Sequence, residues 1–231
     1  PVAPKLRQWK MPDYLQVKRG IDIICATVLL LLFSLPMLLI AFAIKLHSPG
    51  PILYRQQRIG KDGRVFTMLK FRSMRNGNDT QVHHAYAQRL IRENIRPADL
   101  GVASLKLKAD PRITKVGKLL RLSSLDELPQ FVNVLRGEMS LVGPRPPLPY
   151  EYEIYTDWHK QRLQVLPGIT GLWQVKARNR VSFEEMVLMD LEYIHTMSLW
   201  LDQDNTLYPV GDAARYRRGI VRGGYPSWMA L

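Results

Sequence analysis

Residues 23–44 carry no charge and only three polar side chains, Cys25, Thr27 and Ser34. As a helix they would reach roughly 33 Å, against about 30 Å for the hydrocarbon core of a bilayer. A soluble core helix seldom runs that far without a charge, so this run ties the chain to lipid. Pro36 argues against a straight crossing. It lacks a backbone N–H and kinks a helix, and Ser34, two residues earlier, can offer its hydroxyl to a freed carbonyl. The flanks argue against a crossing as well. Lys18 and Arg19 precede the run, and Lys45, Arg55, Arg58 and Lys61 follow it. Five basic and two acidic residues stand before it, 28 and 18 after it. Basic residues mark the cytoplasmic side, so both flanks read as cytoplasmic. On the residues alone, a crossing and a hairpin that enters one leaflet and returns stay equally open.

The remainder is ordinary enough to fold. Of 231 residues 46% are apolar and 23% charged, which excludes a disordered polyelectrolyte. A single long apolar run excludes a polytopic membrane protein. One cysteine, Cys25, excludes a disulfide framework and any multi-cysteine metal site. No A-x-A-like cleavage site follows the run, so it does not read as a secretory leader. The net charge of +13 suits anionic lipid or nucleic acid. No helix-turn-helix, zinc finger or RNA-binding aromatic signature accompanies it, which favours lipid.

Along the chain, two strand-like runs, 52–59 and 64–74, flank Asp62-Gly63 and predict a β-hairpin. The two-residue period puts Phe66, Met68, Lys70 and Arg72 on one face, so Lys70 and Arg72 would point together. A solvated basic face is the plainer reading. A helix is expected near 83–95. Thr114 caps another over 114–120, with Val116, Leu119 and Leu120 on its inner face. Residues 150–166 read as an amphipathic helix with Tyr152, Tyr155, Trp158 and Leu163, suited to a membrane surface or to a core. Residues 167–180 read as a loop whose Trp173, Gln174, Arg178 and Arg180 suit a nucleotide base and its phosphates. Ser182-x-x-Glu185 opens a helix with Phe183, Val187, Leu191 and Ile194 as its apolar stripe. Residues 202–231 lose periodicity and are basic.

The segment 121–149 is the most informative. Leu128, Phe131, Val132 and Leu135 recur at helical spacing, and Gly137 ends the helix. Pro129 starts it near 126–128, and Ser124-x-x-Glu127 offers a capping box about one turn earlier. Either way Asp126 and Glu127 sit at a helix N-terminus. Helix-dipole stabilisation of about 0.3–1 kcal/mol accounts for many such pairs. The neighbours suggest more. Arg121 precedes the pair and Arg145 follows in a stiff GPRPP loop. Two carboxylates between two arginines suit a divalent cation and phosphates. A carboxylate kept ionised beside a cation can attack phosphorus. Read without that chemistry, the chain is a single-pass anchored, basic scaffold domain that binds lipid or nucleic acid.

Taken in order, the segments GPILYRQQRIG (50–60), KFRSM (70–74), DPRIT (110–114), SLDELPQ (124–130), GEMSLVGPRP (137–146), PGITGLWQV (167–175) and SLWLD (198–202) form a pattern, preceded by Lys18-Arg19-x-x-Asp22. Over about 18–202 the chain resembles the bacterial sugar transferases, the monotopic phosphoglycosyl transferases. That resemblance implies transfer of a sugar 1-phosphate from a UDP-sugar to undecaprenyl or another polyprenyl phosphate, an early step of surface glycan synthesis (exopolysaccharide, capsule or O-antigen). The PGITGLWQV type implies a hexose, glucose or galactose. Asp126 would be the nucleophile, Glu127 would help hold Mg²⁺, and Arg121 and Arg145 would contact phosphate. Ser34 and Pro36 would break a re-entrant membrane helix, with Lys18 and Arg19 at its edge. The fold implied is α+β and mostly helical: a lead-in and re-entrant helix over 1–47, a catalytic domain over 48–202 with a β-hairpin and amphipathic interfacial helices, and a basic tail over 203–231. The expected candidate site is thus Asp126 and Glu127 with Mg²⁺, and Lys70, Arg72, Arg121, Arg145, Gln174 and Arg178 for substrate. Expected partners are UDP-sugar, polyprenyl phosphate and membrane lipids at the cytoplasmic face of the bacterial plasma membrane, with no nucleic acid; a homo-oligomer is left open. After SLWLD the family continues as an apolar, basic helix, whereas here QDNTLYPVGDAARYRR follows.

Overall fold

The apolar run does not form one rod. In the structure, a computed structural model describing residues 11–75, 80–96, 112–177, 180–199 and 201–203, it is divided between two helices. These are α1 (Met11–Leu32) and α2 (Ser34–His47), bent by 60° at Phe33. Among the described residues no single helix is long and apolar enough to cross a membrane. The local cause is legible. Pro36 has no N–H to give the carbonyl four residues back. Ser34 Oγ donates to the Leu31 carbonyl at 2.8 Å. Phe33, at φ −91° and ψ 6°, leaves the helical well.

One face of each helix is buried. On α1, Tyr14, Lys18, Asp22 and Ala26 are spaced by four and all buried, so a single stripe faces the rest of the protein. On α2, Leu35, Leu38, Leu39, Phe42 and Leu46 remain 62–71% exposed. Patches this apolar and this continuous mark an interaction surface.

The expected hairpin is β1 (Leu53–Ile59) against β2 (Val65–Phe71), antiparallel from Leu53↔Phe71 to Ile59↔Val65. After α3 (Thr80–Arg92) comes α4 (Lys115–Ser123), whose N-cap Thr114 accepts from the Gly117 amide at 2.8 Å. A 3-10 turn, Leu125–Glu127, leads into α5 (Gln130–Leu135). Gly137, at φ +78°, ends that helix as expected. Short parallel strands β3 (Ser140–Val142) and β4 (Gly168–Thr170) follow. They meet so closely that a Cβ on Gly168 would lie 2.1 Å from the Gly143 amide nitrogen. Between them run α6 (Pro149–Tyr152) and α7 (Asp157–Lys160). Then come α8 (Leu172–Lys176) and α9 (Phe183–Thr196).

Three apolar clusters hold these elements. The largest surrounds α9 and gathers Val187, Met189, Leu191 and Tyr193 with Tyr155 and Leu172. A second packs Ala26 of α1 against Phe66, Met68, Val134 and Met139. A third joins Ile44 of α2 to Phe71, Leu120 and Leu128. The expected stripe of α9 is buried throughout, and its Ser182–Glu185 capping box forms.

Four expectations change. Residues 150–166 are not one interfacial helix. Thr156 caps a new turn there, and Tyr155 and Leu163 are core residues. Residues 167–180 are not all loop, since β4 and α8 lie within them. Leu119 faces outward, 66% exposed, while Leu120 carries the inner face of α4. The Ser124 capping box does not form: Ser124 adopts φ 60° and its hydroxyl caps nothing.

Candidate active site

The site is assembled by long-range contacts that aim α5. Arg19 of α1 donates to the Val134 and Leu135 carbonyls at 2.6 and 3.0 Å. A cation at the C-terminal end of a helix is favourable, and these bonds also satisfy orphan carbonyls. Asn133, fully buried, acts as a mock strand. Its Oδ1 accepts from the Leu69 amide at 3.0 Å and its Nδ2 donates to the Thr67 carbonyl at 2.8 Å. A third bond, to Glu138 Oε2 at 2.6 Å, holds the amide in place. β2 and α5 are thereby fixed side by side.

That arrangement brings Lys70 to Glu127, with Nζ 2.8 Å from Oε1. Asp126 lies beside them, half-buried. Burial pushes its carboxyl above the ordinary aspartate range, with Glu127 adding to the rise and Lys70 and Arg121 opposing it. Burial likewise pulls Lys70 below the ordinary lysine range, helped by Arg145 and opposed by Glu127. Asp126 and Lys70 therefore act on each other, both are influenced by Glu127, and Arg121 and Arg145 add their charge to Asp126 and to Lys70 respectively. Arg121 is steadied by Ser73, its Nε donating to Oγ at 2.9 Å.

Arg145 projects, exposed, from a loop of buried prolines. Arg58 anchors that loop, donating to the Pro146 carbonyl at 2.9 Å, and the Ile59 amide donates to Pro147 at 3.0 Å. Arg58 is 5% exposed, and burial followed by the charge of Arg145 brings its guanidinium down to about 10.

Other candidates take other places. Arg72 stands just past the end of β2 and does not join Lys70 at the carboxylates. It donates to the Pro49 carbonyl at 2.8 Å and to the Ser48 carbonyl and hydroxyl at 2.7 Å each. It thus ties the exit of α2 to the hairpin. Lys18 pairs with Asp202 at 2.7 Å, so both members of the Lys18-Arg19 pair brace α1 against the domain. Asp202 also accepts from Tyr14 at 2.8 Å and from Tyr193 at 2.7 Å. Gln174 lies on α8 next to the GPRPP strand end. A Cβ on Gly171 would meet both the Gly143 carbonyl and Gln174 Oε1. Its Oε1 and the Trp173 Nε1 are buried without a hydrogen bond. Arg178 lies outside the described residues. Ser34 and Pro36 stand at the helix break.

Asn133, Arg58 and Asp202 were not singled out from the sequence. Asn133 carried a signal, being a polar residue set among the apolar Phe131, Val132, Val134 and Leu135. Arg58 and Asp202 sat inside motifs whose partners are far away in the chain. Among the described residues no group of three or more His, Cys, Asp and Glu side chains could enclose a metal. Asp126 and Glu127 supply two hard oxygen ligands, which fits an ion that takes its other ligands from substrate phosphates and water, as Mg²⁺ does.

A bent pair of apolar helices, a hairpin that delivers a lysine and an acidic pair flanked by arginines define a class. The chain belongs to the bacterial sugar transferase family, whose model matches residues 13–210. Among its relatives, the exopolysaccharide production protein ExoY of Rhizobium meliloti is 43% identical over 185 residues, covering 80% of each chain. The galactosyl transferase CpsE of Streptococcus agalactiae is 42% identical over 191 residues, 82% of this chain and 40% of that one. The UDP-glucose:undecaprenyl-phosphate glucose-1-phosphate transferase of Escherichia coli is 42% identical over 194 residues, 80% of this chain and 38% of that one. The chain thus spans most of one relative and about two fifths of the longer ones.

Proposed function

We propose that this protein transfers a hexose 1-phosphate, glucose or galactose, from its UDP-sugar to a polyprenyl phosphate, in two chemical steps at Asp126. The observation that carries the reading is the half-buried Asp126 carboxylate beside the Lys70–Glu127 ion pair, with Arg121 acting on the carboxylate and Arg145 on the lysine. In the first step a carboxylate oxygen of Asp126 attacks the sugar-bearing phosphorus. A P–O bond forms, the bond to the bridging oxygen breaks, and UMP leaves with that electron pair. In the second step a phosphate oxygen of the polyprenyl phosphate attacks the same phosphorus. Asp126 is released as carboxylate and the product is a polyprenyl diphosphate sugar. Two displacements let a water-soluble and a lipid-bound substrate use one centre in turn.

The residues divide the work. Arg121 and Arg145 neutralise the diphosphate, and Lys70 orients Glu127 while adding positive charge beside the nucleophile. Mg²⁺ held by Glu127 and Asp126 would screen the phosphate charge during attack. Gln174 and Trp173 offer buried polar atoms to the nucleotide. The bent pair α1–α2 dips into the cytoplasmic leaflet of the bacterial plasma membrane and returns, which keeps both flanks in the cytoplasm. Donor names among the relatives support the lean toward these two sugars: CpsE is named a galactosyl transferase and the Escherichia coli relative is named for UDP-glucose.

The test is a product assay on the detergent-purified chain with Mg²⁺, undecaprenyl phosphate and either UDP-glucose or UDP-galactose. The reading predicts UMP and an undecaprenyl diphosphate hexose in equal amounts from one donor or both. Release of the free sugar phosphate or of UDP instead of UMP would overturn it.

A further inference from the structure

Arg58 is a buried cation that forms no ion pair among the described residues. Its bonds go to neutral oxygens instead. Nε and Nη2 donate to Gln56 Oε1 at 3.2 and 2.9 Å, and Nη1 donates to the Pro146 carbonyl at 2.9 Å. A buried charge is costly without a counter-ion, so a neutral side chain would serve the core better at this position. What Arg58 offers that a neutral side chain does not is a planar fork, which holds two acceptors in fixed directions at once.

The second acceptor belongs to the loop that carries Arg145. Pro144, Pro146 and Pro147 fix the backbone on either side of that residue. On the β4 side the Gly143 amide donates to the Thr170 carbonyl and the Gly168 amide to the Pro144 carbonyl, both at 2.9 Å. On the β1 side the Ile59 amide donates to the Pro147 carbonyl at 3.0 Å. Among the described residues, the bond from Arg58 is the one tie to residues 143–147 that comes from a side chain. In the hairpin, Arg58 lies opposite Phe66, Gln56 opposite Met68 and Tyr54 opposite Lys70, so Gln56, Arg58 and Lys70 share one sheet face. The charge of Arg145 bears on Arg58 and on Lys70 alike, so it is within electrostatic reach of both its anchor and the candidate active site.

We propose that Arg58 is a positioning residue for the transfer reaction: steadied by Gln56, it fixes the backbone from which Arg145 meets the donor's phosphates. It reaches substrate through Arg145 alone, since its own guanidinium is buried and all three of its nitrogens already donate. The inference rests on the reading of Arg145 as a phosphate contact. A preset backbone lets the exposed Arg145 side chain arrive aimed, so that less ordering remains to be done when the donor binds.

The test is a double-mutant cycle on the full chain in detergent. It reads kcat/KM for UMP release from UDP-glucose or UDP-galactose with undecaprenyl phosphate and Mg²⁺. Arg145→Met should lower kcat/KM about 100-fold. Arg58→Met in the native background should lower it about tenfold, because Arg145 is then presented from a displaced loop. In the Arg145→Met background the same change should cost less than about twofold, since nothing is left to position. Melting temperature is the contrasting readout: Arg58→Met should lower it equally in both backgrounds. Losses of kcat/KM that multiply would give Arg58 a purely structural role or a direct one and refute the proposal, as would Arg58→Met without loss in the native background. An unchanged kcat/KM in Arg145→Met would instead remove the phosphate-contact reading, and the inference with it. Should Arg58→Met fail to fold, two milder changes carry the same cycle. Arg58→Lys keeps the charge and loses the fork, and Gln56→Leu leaves Arg58 in place but unsteadied; each should lower kcat/KM only while Arg145 is present, and a loss that persists without it would refute the proposal.

Discussion

Two of the ion pairs in this protein do different things. Arg162 and Asp190 meet in the core around α9, with side chains 4% and 1% exposed. Lys70 and Glu127 meet at the candidate active site, 22% and 35% exposed. The first pair is enclosed by Tyr155 and Phe183, and Tyr155 OH is a further partner of the guanidinium. Nothing charged from outside needs to reach it. The second sits near Asp126, Arg121 and Arg145, so that three cations stand around two carboxylates. A closed pair is costly to break, since removing one partner leaves the other charge desolvated and alone. An open pair with neighbouring cations is a place where an anion can be received.

This contrast can be broken at either end. The largest effect should come from Asp126→Asn, which keeps shape and polarity but removes the nucleophile. Turnover should fall on the order of 10⁴-fold or more, with a melting temperature within about 3 °C of the parent. Comparable losses of turnover and melting temperature would make Asp126 a structural residue. Next, Arg162→Met should leave Asp190 buried and alone, costing about 3–5 kcal/mol in denaturant unfolding. Adding Asp190→Leu should recover most of it, and no recovery would mean the pair is not the unit that matters.

Lys70→Met should lower turnover by about 100-fold with little change in unfolding. Lys70 also gives the site a pH signature. Because Asp126 is raised, its ionised form appears at higher pH than for a free aspartate, so kcat/KM should begin to rise later. Because Lys70 is lowered, its cation is lost at lower pH than for a free lysine, so activity should decline earlier on the alkaline side. Lys70→Arg should move that alkaline limb upward, and an unmoved limb would assign it to another group. The smallest effect expected is Arg19→Met, which removes two bonds to the end of α5. It should cost about 1–2 kcal/mol in unfolding, read in urea, and lower turnover only a few-fold.

The same two regions explain what could be read from the chain. α9 was legible because its cues are local: Ser182, Glu185 and an apolar stripe all lie within 14 residues of helix and its cap. Asp126 and Glu127 were legible as a motif. What brings them to Lys70 was not, because Lys70 lies 57 residues before its partner and Arg19 115 before the carbonyl it caps. Strand period misled at Arg72, since β2 ends at Phe71 and the alternation has no meaning beyond it. Apolarity misled at Leu119, where the helix faces outward. In 150–166 the aromatic residues matched an interfacial helix by spacing, yet Tyr155 is needed in the core beside Arg162. The break at Phe33 was readable in kind, because Pro36 forbids a continuous hydrogen-bond ladder wherever the helix sits.

The account stands or falls on whether a bond forms at one carboxylate. Intact-mass measurement after mixing the chain with UDP-glucose or UDP-galactose and Mg²⁺, with no lipid acceptor present, addresses it directly. The prediction is a gain of one hexose phosphate, mapped by peptide fragmentation to Asp126 and discharged when undecaprenyl phosphate is added. UMP formed only when the acceptor is present, with the protein mass unchanged throughout, would contradict it.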